Sequence, residues 1–145
     1  MSAPDKDQIA RRCADAMWAE DNATQALGIE RVSIGAGRAT MAMTIRESMT
    51  NGHGMCHGGY IFLLADSAFA FACNSHGPRN VAQHCQVTFL APGKLGSRLT
   101  AEAVERQRGE RSGITDVTVR DEAGTIIAEF RGHSRTIPGS LLAGG

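Results

Sequence analysis

The chain has 145 residues, fifteen basic and fifteen acidic side chains, and a formal charge of zero. That length builds one domain with a real core but not two, and the charge balance gives no electrostatic reason to expect nucleic acid. The N-terminus, Met1 to Asp7, is polar and has no apolar signal core, so a soluble cytoplasmic protein without a membrane partner is expected.

From about Asp5 to Ala19 the chain reads as a first helix, because Ile9, Cys13, Ala16 and Met17 fall at helical spacing with charges opposite. Asn22 to Gly28 reads as a break, and strand patterns begin at Ile29. Arg38 to Ile45 alternates Ala39, Met41, Met43 and Ile45 against Arg38, Thr40, Ala42 and Thr44, after a turn at Gly35-Ala36-Gly37. A loop from Arg46 to Cys56 leads into an apolar helix over about 58–75, closed by Gly77-Pro78. Four strand-like runs follow, Val81–Leu90, Arg98–Gln107, Ile114–Asp121 and Thr125–Thr136, separated by turn compositions such as Ala91-Pro92-Gly93 and Glu122-Ala123-Gly124. A single domain over 1–145 is expected, with about 1–4 and 138–145 mobile.

Four consecutive strands after one helix do not make a doubly wound parallel fold, which needs helices between strands. The simpler expectation is an α+β fold with one curved antiparallel sheet around the apolar helix. One sheet covers only part of a helix that is apolar all round, so a partner subunit is expected to bury the rest.

Asp66 is the only charged residue in that helix, and its neighbours one turn away are Phe62, Leu63, Phe69 and Ala70. A carboxylate there loses solvation, which raises its pKa. The glycines Gly58 and Gly59 open the helix, where backbone N–H groups without obstructing side chains can hold an anion or a developing oxyanion. A base and an oxyanion donor are two parts of a carbonyl-hydrolysing site. Other chemistries find less support. The four cysteines form no CxxC pair and read as reduced thiols, Cys73 as a small core residue. His53, Cys56, His57 and Cys73 lack a standard zinc spacing, so no metal is expected. No G-x-S-x-G hydrolase elbow occurs.

The stretch Asn51-Gly52-His53-Gly54-Met55-Cys56-His57-Gly58-Gly59, followed by Leu64-Ala65-Asp66-Ser67-Ala68, fits N-x5-H-G-G-x6-D without a break. In these residues the chain resembles the hotdog-fold acyl-CoA thioesterases, and more narrowly the PaaI-type subgroup of phenylacetate catabolism. The helix continuation Ala68 to Ser75 and the order of elements extend the likeness over nearly the whole chain. The resemblance implies Asp66 as general base or nucleophile, the Gly58 N–H as the group that polarises the thioester carbonyl, and Gly59 beside it. It implies His57 as a residue that orients the loop or thioester, and Asn51 as the polar partner of water or carboxylate. His57 can also be read as a helix cap and Asn51-Gly52 as an ordinary turn. Coenzyme A brings phosphates, for which Arg131 and Arg135, alternating with His133 on one strand face, are candidates alongside Lys94, Arg98, Arg106, Arg108 and Arg111. His53 and His84 receive no role. No cofactor is implied.

The expected activity is hydrolysis of an aryl-acyl-CoA thioester of phenylacetyl type to free acid and coenzyme A. A hotdog dehydratase of hydroxyacyl thioesters and a non-catalytic acyl-CoA-binding domain are the alternatives. Gly58 and Asp66 are eight positions apart, about 12 Å along a helix axis. One thioester cannot touch both on the same helix, so a homodimer or homotetramer with shared sites is expected.

Overall fold

The computed structural model describes residues 5–142. Its elements run α1 (Lys6–Glu20), α2 (Asn22–Ala26), β1 (Glu30–Gly35), β2 (Arg38–Thr44), a 3-10 turn at Glu47–Met49, α3 (Gly58–Cys73), β3 (Pro78–Phe89), β4 (Arg98–Arg108), β5 (Ser112–Arg120) and β6 (Ile126–Ser140). The six strands form one sheet in the order β1-β2-β4-β5-β6-β3, and every neighbouring pair is antiparallel. Among the described residues no helix is long and apolar enough to cross a membrane.

Strand alternation builds the core. Gly113, Thr115, Val117 and Val119 of β5 are buried while the residues between them are half-buried. Leu99, Ala101 and Ala103 of β4 and Ala39, Met41 and Met43 of β2 form the same inner face. Helix α3 packs there through Leu64, Ala65, Ala68, Phe69 and Ala72. Small residues let it approach closely. A β-carbon on Gly132 would lie 2.5 Å from the Phe69 ring, so the mid-strand glycine of β6 is the seat of that ring.

Two parts of the structure are left open. The stripe of α3 carrying Phe62, Leu63, Asp66 and Ala70 stays half-exposed. β3 is an edge strand, and its residues are exposed or half-buried along its whole length.

The sequence reading is amended in three places. The expected break after α1 contains a short helix, because the Asp21 side chain accepts from Thr24 N at 3.0 Å and caps it. β3 begins at Pro78, not Val81, pairing Pro78 with Ser140; an edge strand tolerates a proline. The tail expected to be mobile from Pro138 is strand through Ser140, and Leu141 N donates to Gly77 O at 2.8 Å. Residues 1–4 and 143–145, the rest of that expectation, lie outside the described residues.

Candidate active site

The loop before α3 is held by its own backbone. Asn51 N donates to Met55 O at 2.8 Å and Gly54 N to Asn51 O at 3.0 Å. The Asn51 side-chain oxygen accepts from His53 N at 2.9 Å and Met55 N at 3.4 Å, so that oxygen is committed to the turn. Cys56 N donates to Gly93 O and His57 N to Met49 O, both at 2.8 Å. These bonds deliver the chain to α3 in a fixed direction.

His57 caps the helix. Its backbone is extended and its Nδ1 accepts from Gly59 N at 2.9 Å. That bond consumes the Gly59 N–H. Gly58 N–H has no acceptor among the described residues and stands at the positive end of a sixteen-residue helix. A side chain at either glycine would crowd its neighbour. A β-carbon on Gly58 would lie 3.0 Å from the Phe89 ring, and one on Gly59 would lie 3.1 Å from His57 Nδ1.

Beside Gly58 opens an apolar cleft of about 410 Å3, lined by residues that include Met55, Cys56, Ile61, Phe89, Leu90 and Pro92. Its size is that of a small-molecule site. Cys56 is no nucleophile there, since burial pushes its thiol up to about 11 and leaves it protonated near neutral pH. Cys73 behaves likewise, pushed up to about 12 chiefly by burial, then by Glu105 and Asp66.

Asp66 is half-buried on the open stripe of α3. Among the described residues its carboxylate takes part in no ion pair or hydrogen bond. Burial raises its pKa, and the negative charge of Asp21 raises it further. A carboxylate with no cation to hold it ionised is a stronger proton acceptor than a solvated one.

Arg131 and Arg135 are not brought to this site within one chain. Phe130, Gly132 and Ser134 of β6 are buried toward α3, so the alternating arginines point to the outer face of the sheet. Arg131 is bound there by Asp116, Nε to Oδ1 at 2.6 Å and Nη2 to Oδ2 at 2.9 Å. This pairing holds the Asp116 carboxyl below its ordinary value and the guanidinium above its own. Arg135 is exposed. The Phe89 wall escaped sequence reading, although Phe89 lies at the end of the strand-like run Val81–Leu90, next to Ala91-Pro92-Gly93. So did a chain of side-chain bonds from Ser67 through Thr24 to Asp21. It joins residues 43 apart, a separation that leaves no local pattern.

A six-stranded antiparallel sheet packed on a long central helix, with a further helix at the N-terminal end, is the fold expected from the resemblance. Residues 53–128 match the thioesterase superfamily, and the chain belongs to that family, with its hotdog fold. The chain is 44% identical over 128 residues to the acyl-coenzyme A thioesterase PaaI of Escherichia coli K12, covering 88% of this chain and 91% of that one. The structure of the E. coli PaaI protein from the phenylacetic acid degradation operon superposes with a TM-score of 0.91 at 42% identity, over 92% of this chain and 97% of that chain. A Streptococcus mutans protein solved bound to acetyl CoA superposes with a TM-score of 0.74 at 25% identity, over 77% of this chain and 90% of that one.

Proposed function

We propose that this protein is an acyl-CoA thioesterase that hydrolyses aryl-acyl-CoA thioesters of phenylacetyl type to the free acid and coenzyme A. The observation that carries the reading is the half-buried, unpartnered Asp66 carboxylate on the helix whose first N–H, at Gly58, is also unpartnered. Membership of the thioesterase superfamily and the likeness to PaaI, together with the acetyl CoA held by the S. mutans relative, support it.

In this mechanism the thioester carbonyl oxygen accepts from Gly58 N–H at the helix start. Asp66 takes a proton from water as the water oxygen bonds to the carbonyl carbon. The tetrahedral oxyanion is stabilised by the same N–H and by the helix dipole. When it collapses, the C–S bond breaks and the departing sulfur takes the proton from Asp66. A thiolate leaves readily, so no stronger acid is needed. His57 acts by locking Gly59 N–H, which leaves Gly58 as the free donor, and Asn51 by holding the turn before it.

The proposed site belongs to two chains. Gly58 and Asp66 lie about 12 Å apart along one helix axis, whereas reacting groups must come within about 3–3.5 Å. A two-fold partner with its helix antiparallel alongside would bring its Asp66 opposite this Gly58. It would cover the open stripe of α3 and the open strand β3. Arg131 and Arg135 then serve coenzyme A only if another subunit brings its phosphates to the outer sheet face. One domain over the whole chain and a cytoplasmic setting, which suits four free thiols, complete the reading.

The test is thiol release from a panel of aryl- and alkyl-acyl-CoA thioesters, with phenylacetyl-CoA expected among the best substrates. Enoyl product without thiol release would replace the hydrolase by a dehydratase, and binding with neither product would leave a ligand-binding domain.

A further inference from the structure

Helix α3 is tied to the N-terminal helices next to its carboxylate. Asp21 ends α1 and caps α2. It accepts from Thr24 N at 3.0 Å and from Thr24 Oγ1 at 2.7 Å. Thr24 Oγ1 lies 3.0 Å from Ser67 Oγ, the residue after Asp66. The donor order follows from proton count. A hydroxyl has one proton, and Thr24 spends its own on Asp21, so Ser67 must donate to Thr24. Thr24 is 2% exposed and Ser67 8%, which protects both bonds from water. The result is a directed chain, Ser67 to Thr24 to the Asp21 carboxylate, that ties a negative charge at the α1–α2 junction to α3.

We propose that Asp21 is a positioning residue: anchored through Thr24 and Ser67, it fixes an anion beside Asp66 and strengthens that carboxylate as the proton acceptor. This rests on the reading of Asp66 as the base and adds what sets its strength. The groups facing Asp66 fit the role. Besides Asp21, from the junction of α1 and α2, the thiols of Cys73 on its own helix and Cys85 on β3 lie near enough for the Asp66 charge to add to the burial that raises them. Among the described residues no basic side chain pairs with Asp66 to offset the anion. Asp21 itself enters no ion pair among them, though Glu20 and Arg79 share its surface cleft. Asp21 and Thr24 lie before the segment matched to the superfamily, while Ser67 lies within it.

Asp21→Asn is the discriminating variant. It keeps one oxygen to accept from Thr24 N, since Asn caps helices about as well as Asp, while the amide NH2 in place of Oδ2 donates to Thr24 Oγ1, so the contact is kept with its direction reversed and the charge is removed. Two readouts are taken in the whole protein: the pH profile of kcat/KM, and direct NMR titration of the Asp66 carboxyl with carbon-13-labelled aspartate. Both the acidic limb and the Asp66 titration should move to lower pH by roughly 0.5 unit, as expected when a like charge within about a Debye length is removed, with KM within about twofold. Thr24→Val keeps the charge but cuts the chain, and should move both in the same direction by less. Titrations that coincide with the wild type in folded Asp21→Asn would overturn the inference. Asp66→Asn is measured beside them. If it remains active the base reading fails, while the NMR titration of Asp66 still decides what Asp21 does to it.

Discussion

Replacing Asp66 by Asn should nearly abolish turnover and at the same time stabilise the protein. The amide keeps the shape and loses the charge and the basicity. Loss of a positioned general base costs roughly 10²–10⁴-fold in rate. The stability effect follows from linkage. Burial, then Asp21, raise the Asp66 carboxyl in the folded protein, so the folded state holds this proton more tightly than the unfolded chain. The cost of ionising it is fully present above the raised folded value. It fades as pH falls and is gone below the unfolded value, near about 3.9. Each unit of elevation is worth about 1.4 kcal/mol. For a chain of this size, each gain of about 1 kcal/mol would raise Tm by about 3 °C. The assay is thermal unfolding of both proteins from pH 8 down to pH 4 at one fixed protomer concentration, since association shifts Tm, with turnover measured on the same samples. The wild-type-to-variant gap should be largest at pH 8 and close towards pH 4. A gap independent of pH, or a variant less stable at pH 8, would refute the desolvated carboxylate; near-wild-type turnover would remove Asp66 from the mechanism.

Gly58→Ala puts a β-carbon 3.0 Å from the Phe89 ring and beside the free N–H; turnover should fall about 10²-fold, the scale of losing one oxyanion donor, while far-ultraviolet circular dichroism stays unchanged. Gly132→Ala puts one 2.5 Å from the ring of Phe69, which is 1% exposed; overpacking of this kind costs about 1–3 kcal/mol, read as a lower urea midpoint, and an unchanged midpoint would mean that the ring has room to move. Subunit mixing tests the shared site: inactive Asp66→Ala and inactive Gly58→Ala, unfolded and refolded together, should regain roughly a quarter of wild-type activity, because each mixed dimer of a two-fold assembly has one intact site. Heterodimers as dead as their parents would place both groups in one chain's site.

What could be read from the sequence was whatever leaves a short-range pattern. The alternation from Arg38 to Ile45 and the apolar run from Tyr60 to Cys73 fixed β2 and α3 to within a residue or two, because side-chain burial repeats with the backbone period. Asp66 stood out since it breaks that run. That His57 caps the helix needed coordinates, because it turns on where one ring nitrogen points; Nδ1 accepts from Gly59 N–H. Asn22 to Gly28 was misread because Asp and Asn favour both turns and helix caps, and only the Asp21 to Thr24 bonds decide between them. Arg131 looked like a free cation, and its Asp116 partner sits across a strand pair, where sequence distance says nothing. The Gly132 seat of Phe69 is of the same kind.

The features that make this protomer look incomplete are those that a hydrolytic site would need. A carboxylate fully buried in one chain would have to be neutral or paired, and either state makes it a poor base. A fully solvated one would have ordinary basicity. On the half-open stripe of α3, Asp66 is desolvated enough to be raised and open enough to meet water. The Gly58 N–H is likewise free because His57 has taken the next donor along. On the two-chain reading, the gap of about 12 Å along one helix keeps base and donor apart until a second α3 lies beside the first. Apolar burial over Phe62, Leu63 and Ala70, together with pairing along β3, would drive that association, and assembly of the catalytic pair would follow from it. Folding and activity should therefore depend together on protomer concentration. Dilution that abolishes activity should also expose the α3 stripe, and an active monomer would break the argument at its first step.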